Sequence, residues 1–425
     1  MRFALVNPNW SYEGSIYFGC KEPHLPLELG YSKSLLEQQG HDVLLLDGHL
    51  FDCTVTDLTR TVASFKPDFT VICTAPTYLF WRCPPPELRV PALLSREMGK
   101  DCGIKIAVGP HGSATPGPVA AKMQADLVVR GECEQVLCGL AGADLRDSVY
   151  PSGSSALRAS CALASMDSLP PLLWPDAFIQ RHLHHHHRFD APPAGPGAEL
   201  EASRGCPYSC TFCAKAYFRG PFRRRPVRTV LQELDTFLAQ GVSYVYFIDE
   251  LFLPDEDLLR SLQKRDILFG IQTRIDLWTH ETLRLLGKAG CVSLEAGVES
   301  LTVSGRRRLN KRCRLGTEEM TRLLIAAKEQ IAFVQANLIM TEHDDLDRIG
   351  KWRSRLHAQG VWANDPVPLF PYPGSPEYAN MWGEPDDDAW ERAHDHYLAR
   401  FLSFSDLQEE VPLPFRELEP EVSNA

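Results

Sequence analysis

No apolar run in the 425-residue chain approaches the ~20 residues that a membrane-spanning helix needs. A signal-peptide pattern is missing too, because MRFALVNPNW reads as a short strand ending in turn residues. The thirteen cysteines are odd in number and irregular in spacing, which excludes a secreted disulfide framework. A basic excess is also lacking: the formal net charge is −11. That balance argues against nucleic acid as a partner and for a neutral or cationic substrate. Internal repeats are absent. The expectation is a cytoplasmic protein with reduced thiols and no membrane association. Hydrophobic residues make up 44% and charged residues 23%, as in a globular enzyme of two or three domains.

Strand and helix signals alternate over residues 1–149. FALVN, DVLLL, FTVICTAP, IKIAVGP and ADLVVRGE read as strands, with helical periodicity between them. Apolar strands separated by helices predict an α/β domain built on a doubly wound parallel sheet, Rossmann-like, with ligands at the strand carboxyl ends. Residues 150–196 are rich in Pro, Gly and Ser and read as a linker. Within it RHLHHHHRF, Arg181 to Phe189, carries five histidines, read as a solvated connector. A second alternating unit fills 197–380, with strands AELEAS, VSYVYFI, ILFGIQT, CVSLEAG, IAFVQANLIM and ANDPVPLF. Six βα units predict a partial (β/α)6 barrel whose active residues sit at the strand carboxyl ends. Residues 381–425 read as a helical extension with a frayed end.

The stretch SRGCPYSCTFCAK follows the first barrel strand directly. Its cysteines, Cys206, Cys210 and Cys213, are spaced C-x3-C-x2-C. Three thiolates on a short loop can hold three irons of a four-iron cluster and leave the fourth open. Zinc would need a further ligand, and Cys291 and Cys313 are the nearest cysteines downstream. FRGPFRRRPVR, Phe218 to Arg228, is a short basic run read as domain packing plus contacts to an anionic ligand or a reductase.

The triplet, with an aromatic residue (Phe212) before its last cysteine, resembles the radical S-adenosylmethionine (SAM) superfamily over residues 197–380. The resemblance implies a [4Fe-4S] cluster on the three cysteines, with SAM as the ligand of the open iron. It implies a 5′-deoxyadenosyl radical as the reactive species and a flavodoxin- or ferredoxin-type electron donor. It also assigns roles at the other strand ends. Phe247, Ile248, Asp249 and Glu250 would face the SAM amino group. Arg274, with Asp276, would meet its carboxylate, and Glu295, Glu299 and Ser300 its ribose. FPYPGSPEY, Phe370 to Tyr378, resembles a loop of radical SAM proteins that carry a cobalamin domain.

Residues 1–149 resemble that cobalamin-binding domain through LPLELGYSKSLLEQQGHDVLLLDG, VGPHGSATP and ADLVVRGECE. Two departures leave bound cobalamin open. Val108 stands beside Gly109 where two glycines are usual, and a valine there would crowd the backbone facing a corrin. The D-x-H-x-x-G signature is absent, and DGHLFD, Asp47 to Asp52, only mimics its start. Taken whole, the chain most resembles the radical SAM diol dehydratases of apramycin-type aminoglycoside biosynthesis. That implies dehydration of a 1,2-diol on a cationic sugar such as paromamine, with a partner dehydrogenase. Proton transfer would fall to Glu22, His24 and Tyr217. The alternatives are a cobalamin-dependent radical SAM methyltransferase acting on an sp3 carbon, and a non-catalytic corrinoid or nucleotide carrier.

Overall fold

The computed structural model describes residues 1–10, 23–77, 88–140, 149–151, 162–182, 195–215, 218–342 and 344–401. The first sheet contains β1 (Arg2–Asn7), β2 (Asp42–Asp47), β3 (Phe69–Cys73), β4 (Ile104–Val108), β5 (Leu127–Val129) and β6 (Val149–Pro151). Its order is β2-β1-β3-β4-β5-β6, parallel except for β6, which pairs antiparallel with β5. The sequence reading did not include β6. The winding direction reverses between β1 and β3, where such sheets open their ligand crevice.

Side chains alternate across this sheet as a period of two requires. Phe3, Leu5, Val71, Cys73, Ile106 and Val108 enter the core shared with the barrel. Ala4, Val6, Ile72 and Ala107 enter a separate core under the helices Val55–Phe65, Arg89–Glu97 and Pro116–Met123. Both faces are covered, which is why these strands read as unbroken apolar runs.

The second sheet comprises β7 (Gly197–Leu200), β10 (Tyr244–Phe247), β11 (Leu268–Thr273), β12 (Cys291–Glu299), β13 (Phe333–Leu338) and β14 (Trp362–Ala363). All six are parallel, in the order β14-β13-β12-β11-β10-β7. A two-stranded ribbon, β8 (Ser203–Arg204) with β9 (Arg223–Arg224), rises from the end of β7. β14 is shorter and earlier than ANDPVPLF suggests. Pro366 and Pro368 deny the ladder two donors, so only an isolated bridge, Ile339 with Val367, continues it.

The stretch expected to be a linker is packed where it is described. Leu169, Leu172, Trp174, Phe178 and Ile179 are buried in the shared core. A Cβ on Gly30 would lie 2.9 Å from the Trp174 ring, so glycine admits the indole against the helix Leu27–Gln38. His182 is also buried, not solvated, which corrects the connector reading at that residue. The rest of the histidine run, from residue 183, lies outside the described residues. So do Glu22, Tyr217 and the tail beyond 401.

The helix Ala389–Phe401 returns to the first domain. Trp390 donates to Thr115 Oγ1 at 2.8 Å and packs 4.3 Å from the His111 ring, while Ala389 and Ala393 meet Phe370 and Tyr378.

Candidate active site at the facing sheet edges

The cysteine loop leaves the carboxyl end of β7 through Gly205. Its φ is +75°, and a Cβ there would sit 2.2 Å from the Pro221 carbonyl oxygen, so only glycine fits. The loop is then pinned from several elements. Gly205 N–H donates to Glu250 Oε2 at 2.7 Å. Thr211 N–H donates to the Leu309 carbonyl at 3.0 Å, and the Thr211 carbonyl accepts from Glu377 N–H at 3.0 Å. Asn310 Nδ2 donates to the Ser209 carbonyl at 2.6 Å, and Lys215 Nζ bonds the Cys206 carbonyl. Arg308 holds Glu377 in a two-pronged pair at 2.7 and 3.1 Å. Phe370 to Tyr378 thus docks, through Glu377, directly on the cysteine loop.

Burial raises all three thiols, and Cys213 is pushed up to about 12 by burial and then by its two cysteine neighbours. Thiols so hard to ionise become ligands only when a cation displaces their protons. The charges around them suit that exchange. Lys215 and Arg274 act on Cys206, and Lys311 and Arg274 on Cys210, each favouring the anion.

Arg274, at the end of β11, spans Asp276 with two bonds of 3.0 and 2.8 Å. Burial alone would raise Asp276, but these bonds hold it below the usual carboxylate range. Nη1 of Arg274 is buried and has no hydrogen-bond partner among the described residues. A free guanidinium donor within electrostatic reach of Cys206 and Cys210 is a prepared seat for an anionic group. Donor set and orphaned nitrogen together fit a cluster with a carboxylate-bearing ligand.

The other expected residues are placed as follows. Asp249 turns back to accept from Ala202 N–H at 2.8 Å and from the Ser203 hydroxyl. Burial pushes it up to about 8. With Glu250 it ties the end of β10 to the start of the cysteine loop. Ile248 and Phe247 are buried in the core, and Phe212 is half-buried in the loop. Glu295 is buried in β12. Glu299, strained at φ +66°, pairs with Lys311 at 2.9 Å. Ser300 Oγ accepts from Thr302 N–H at 3.1 Å. His24 faces Glu199 on β7, at 2.7 Å. Cys291 lies at the amino end of β12, away from the rim, and the Cys313 thiol bonds the Leu315 carbonyl at 3.6 Å.

Sequence reasoning missed Tyr208, Lys311 and the buried charge network. In that network Glu28, Glu132 and Glu134 of the first domain meet Arg204, Arg219 and Arg223. Arg204 reaches Glu134 at 2.7 Å and Arg219 reaches Glu28 at 2.6 Å. Thr77, just past β3, donates to Glu28 at 2.8 Å. Glu132 lies just past β5, and Arg204 just past β7. The carboxyl edges of the two sheets therefore face each other across these ion pairs. The basic run Phe218 to Arg228 supplies Arg219 and Arg223 to this junction, together with Arg225, which pairs with Glu233 at 2.8 Å.

Residues 200–349 match the family model of the Radical SAM superfamily, so the second unit is a radical SAM domain, whose chemistry rests on a [4Fe-4S] cluster and SAM. The chain is 24% identical over 322 residues to an uncharacterized methyltransferase, PH0819, of Pyrococcus horikoshii. The match covers 71% of this chain and 66% of that protein. It is 24% identical over 315 residues to the hopanoid C-3 methylase of Methylococcus capsulatus, covering 68% of this chain and 56% of that protein. The chain thus spans between about half and two thirds of these relatives' length. In fold it is similar to the radical SAM methyltransferase TsrM of Kitasatospora setae, solved with cobalamin and a [4Fe-4S] cluster bound. The TM-score is 0.68 at 17% identity, over 89% of this chain and 78% of that one.

These likenesses overturn the expected dehydration of an aminoglycoside diol. PH0819, the hopanoid C-3 methylase and TsrM are each named for methyl transfer, so the lyase reading and the aminoglycoside substrate are withdrawn in favour of the methyltransferase alternative. Among the described residues no helix is long and apolar enough to cross a membrane.

Proposed function

We propose that the chain is a cobalamin-dependent radical SAM methyltransferase that methylates a carbon atom of a small substrate. The carrying observation is the apposition of two ligand-binding edges. The three thiols and the unpaired Arg274 nitrogen crown the barrel, and a sheet of order β2-β1-β3-β4-β5 turns its carboxyl edge towards them.

The described residues at that edge suit a large polar cofactor. The Thr74 hydroxyl, just past β3, is buried with no hydrogen-bond partner among them. Val108, expected to crowd the corrin, instead buries its side chain in the shared core. Cys206, Cys210 and Cys213 would hold the cluster, and Arg274 Nη1 would receive the SAM carboxylate. Lys215 and Lys311 would offset the negative charge of the thiolates. With SAM and a corrinoid bound, such a site supplies a reducing iron–sulfur centre and a methyl carrier. A small acidic electron-transfer protein of the flavodoxin or ferredoxin kind is the proposed reductant.

The test is anaerobic. The chain is produced with cobalamin supplied, the cluster is reconstituted, and iron, sulfide and corrinoid are quantified. Methyl-labelled SAM is then followed into S-adenosylhomocysteine. Stoichiometric corrinoid with S-adenosylhomocysteine formation supports the proposal. A full cluster with no corrinoid and only 5′-deoxyadenosine as product would refute it.

A further inference from the structure

His24, His182 and Glu199 come from three separate parts of the chain and meet in the interior. His24 precedes the first long helix, His182 ends the stretch between the domains, and Glu199 lies on β7. All three are at least 97% buried, being 3%, 1% and 3% exposed. One nitrogen of each imidazole and a carboxylate oxygen lie within 4.8 Å of one another. His24 Nδ1 is 2.7 Å from Glu199 Oε1, and His182 Nε2 is 3.0 Å from Glu199 Oε2. Leu25 N–H also donates to Oε2, at 3.1 Å.

The protonation of His182 is the informative detail. Its Nδ1 lies 2.7 Å from the Gly197 carbonyl oxygen, which only accepts, so Nδ1 carries a proton. In the neutral ring, Nε2 then presents a lone pair to a carboxylate oxygen, and two acceptors in contact repel. A positive centre must lie between them, either a second proton or a metal ion. The contact is poorly aligned for a hydrogen bond, and Glu199 beside the ring favours a positive charge there. A backbone carbonyl that fixes the tautomer and turns the other nitrogen inward is the usual support of a metal-bound histidine.

We infer that His24, His182 and Glu199 form a binding site for a divalent transition metal, of the zinc type, that pins the first domain, the connecting stretch and the barrel together. Two imidazoles and one carboxylate are a donor set for such ions, with a position left for water. Asp47, at the end of β2, is within electrostatic reach of His182 and has a buried Oδ2 without a hydrogen-bond partner among the described residues. It supplies a second negative charge to balance the cation.

The site does not involve the cluster, so it is tested without it. Cys206, Cys210 and Cys213 are all replaced by Ala, and the untagged chain is purified with zinc supplied and dialysed against a mild chelator. Metal is then measured by mass spectrometry. The expected result is stoichiometric zinc, retained when His184 to His187 are replaced by Asn and lost in Glu199→Gln. Substitution with cobalt should give intense tetrahedral visible bands, which keeps the test decisive if Glu199→Gln does not fold. Absence of zinc from the triple-alanine chain would overturn the inference and leave a metal-free imidazole–carboxylate clamp. Loss of zinc on replacing His184 to His187 alone would overturn it equally.

Discussion

The Arg274 guanidinium lies 3.9 Å from the centroid of the Tyr208 ring, in the middle of the cysteine loop. The same guanidinium grips Asp276 with Nε and Nη2, leaving Nη1 free. Stacking and bidentate pairing both require a planar fork, which lysine lacks. Arg274→Lys is therefore expected to weaken SAM binding about tenfold. Iron content should stay near wild type, because the thiols remain. Equilibrium binding of SAM to the reconstituted enzyme measures it, and unchanged affinity would remove Arg274 from the site.

The parallel strands β1 to β5, β7 and β10 to β13 of the two sheets were legible in the sequence because buried parallel strands are unbroken apolar runs, whereas the short antiparallel β6 was not. The cysteine loop was legible because its ligands are local, within eight residues. The junction was not. Arg204 and Glu134 lie seventy residues apart, and nothing local marks either as buried. The run FRGPFRRRPVR was legible as domain packing, but its carboxylate partners were not, because Glu28 and Glu132 arrive from another domain. His182 was hidden likewise, in a histidine run that composition alone assigns to solvent. Lys311 carries no signal before the chain folds, because its partner Glu299 reaches it from a strand end held at positive φ.

Arg204 is fully buried and touches Glu134 at 2.7 Å, Glu132 at 3.4 Å and Glu201 at 2.8 Å. Removing it takes the paired cation from Glu134 and one of several from Glu132 and Glu201. Arg204→Met is expected to cost about 3–5 kcal/mol and to loosen the two domains. Chemical denaturation and limited proteolysis of the junction are the readouts. A cost below about 1 kcal/mol would mean that the network carries no net stability.

Asn310 does two things for the cysteine loop. Its side chain holds the Ser209 carbonyl, and its backbone adopts φ +49°. Glycine keeps the second role and alanine keeps neither. Both variants should release iron faster under chelator challenge, with Asn310→Ala the faster by several-fold. Equal release rates would show that the hydrogen bond alone matters.

Asp249 sets a pH dependence whose sign is fixed by its burial. Its carboxyl accepts from Ala202 N–H and the Ser203 hydroxyl, and the charges that act on it, Glu201 and Glu250, are negative. Burial raises it from an ordinary 3.8 to about 8. The folded state thus prefers the protonated form, and the associated stability is complete below about 4. It is lost as pH rises, fully so above about 8, at about 1.4 kcal/mol per pH unit where the two states differ by one proton. The melting temperature of the cluster-free chain should therefore fall between pH 5 and 8 by more in wild type than in Asp249→Asn, whose amide does not titrate. An amide can still accept the Ala202 N–H bond, so the variant is expected to fold. Parallel profiles for the two proteins would show that Asp249 is already ionised at neutral pH and that another group sets the slope.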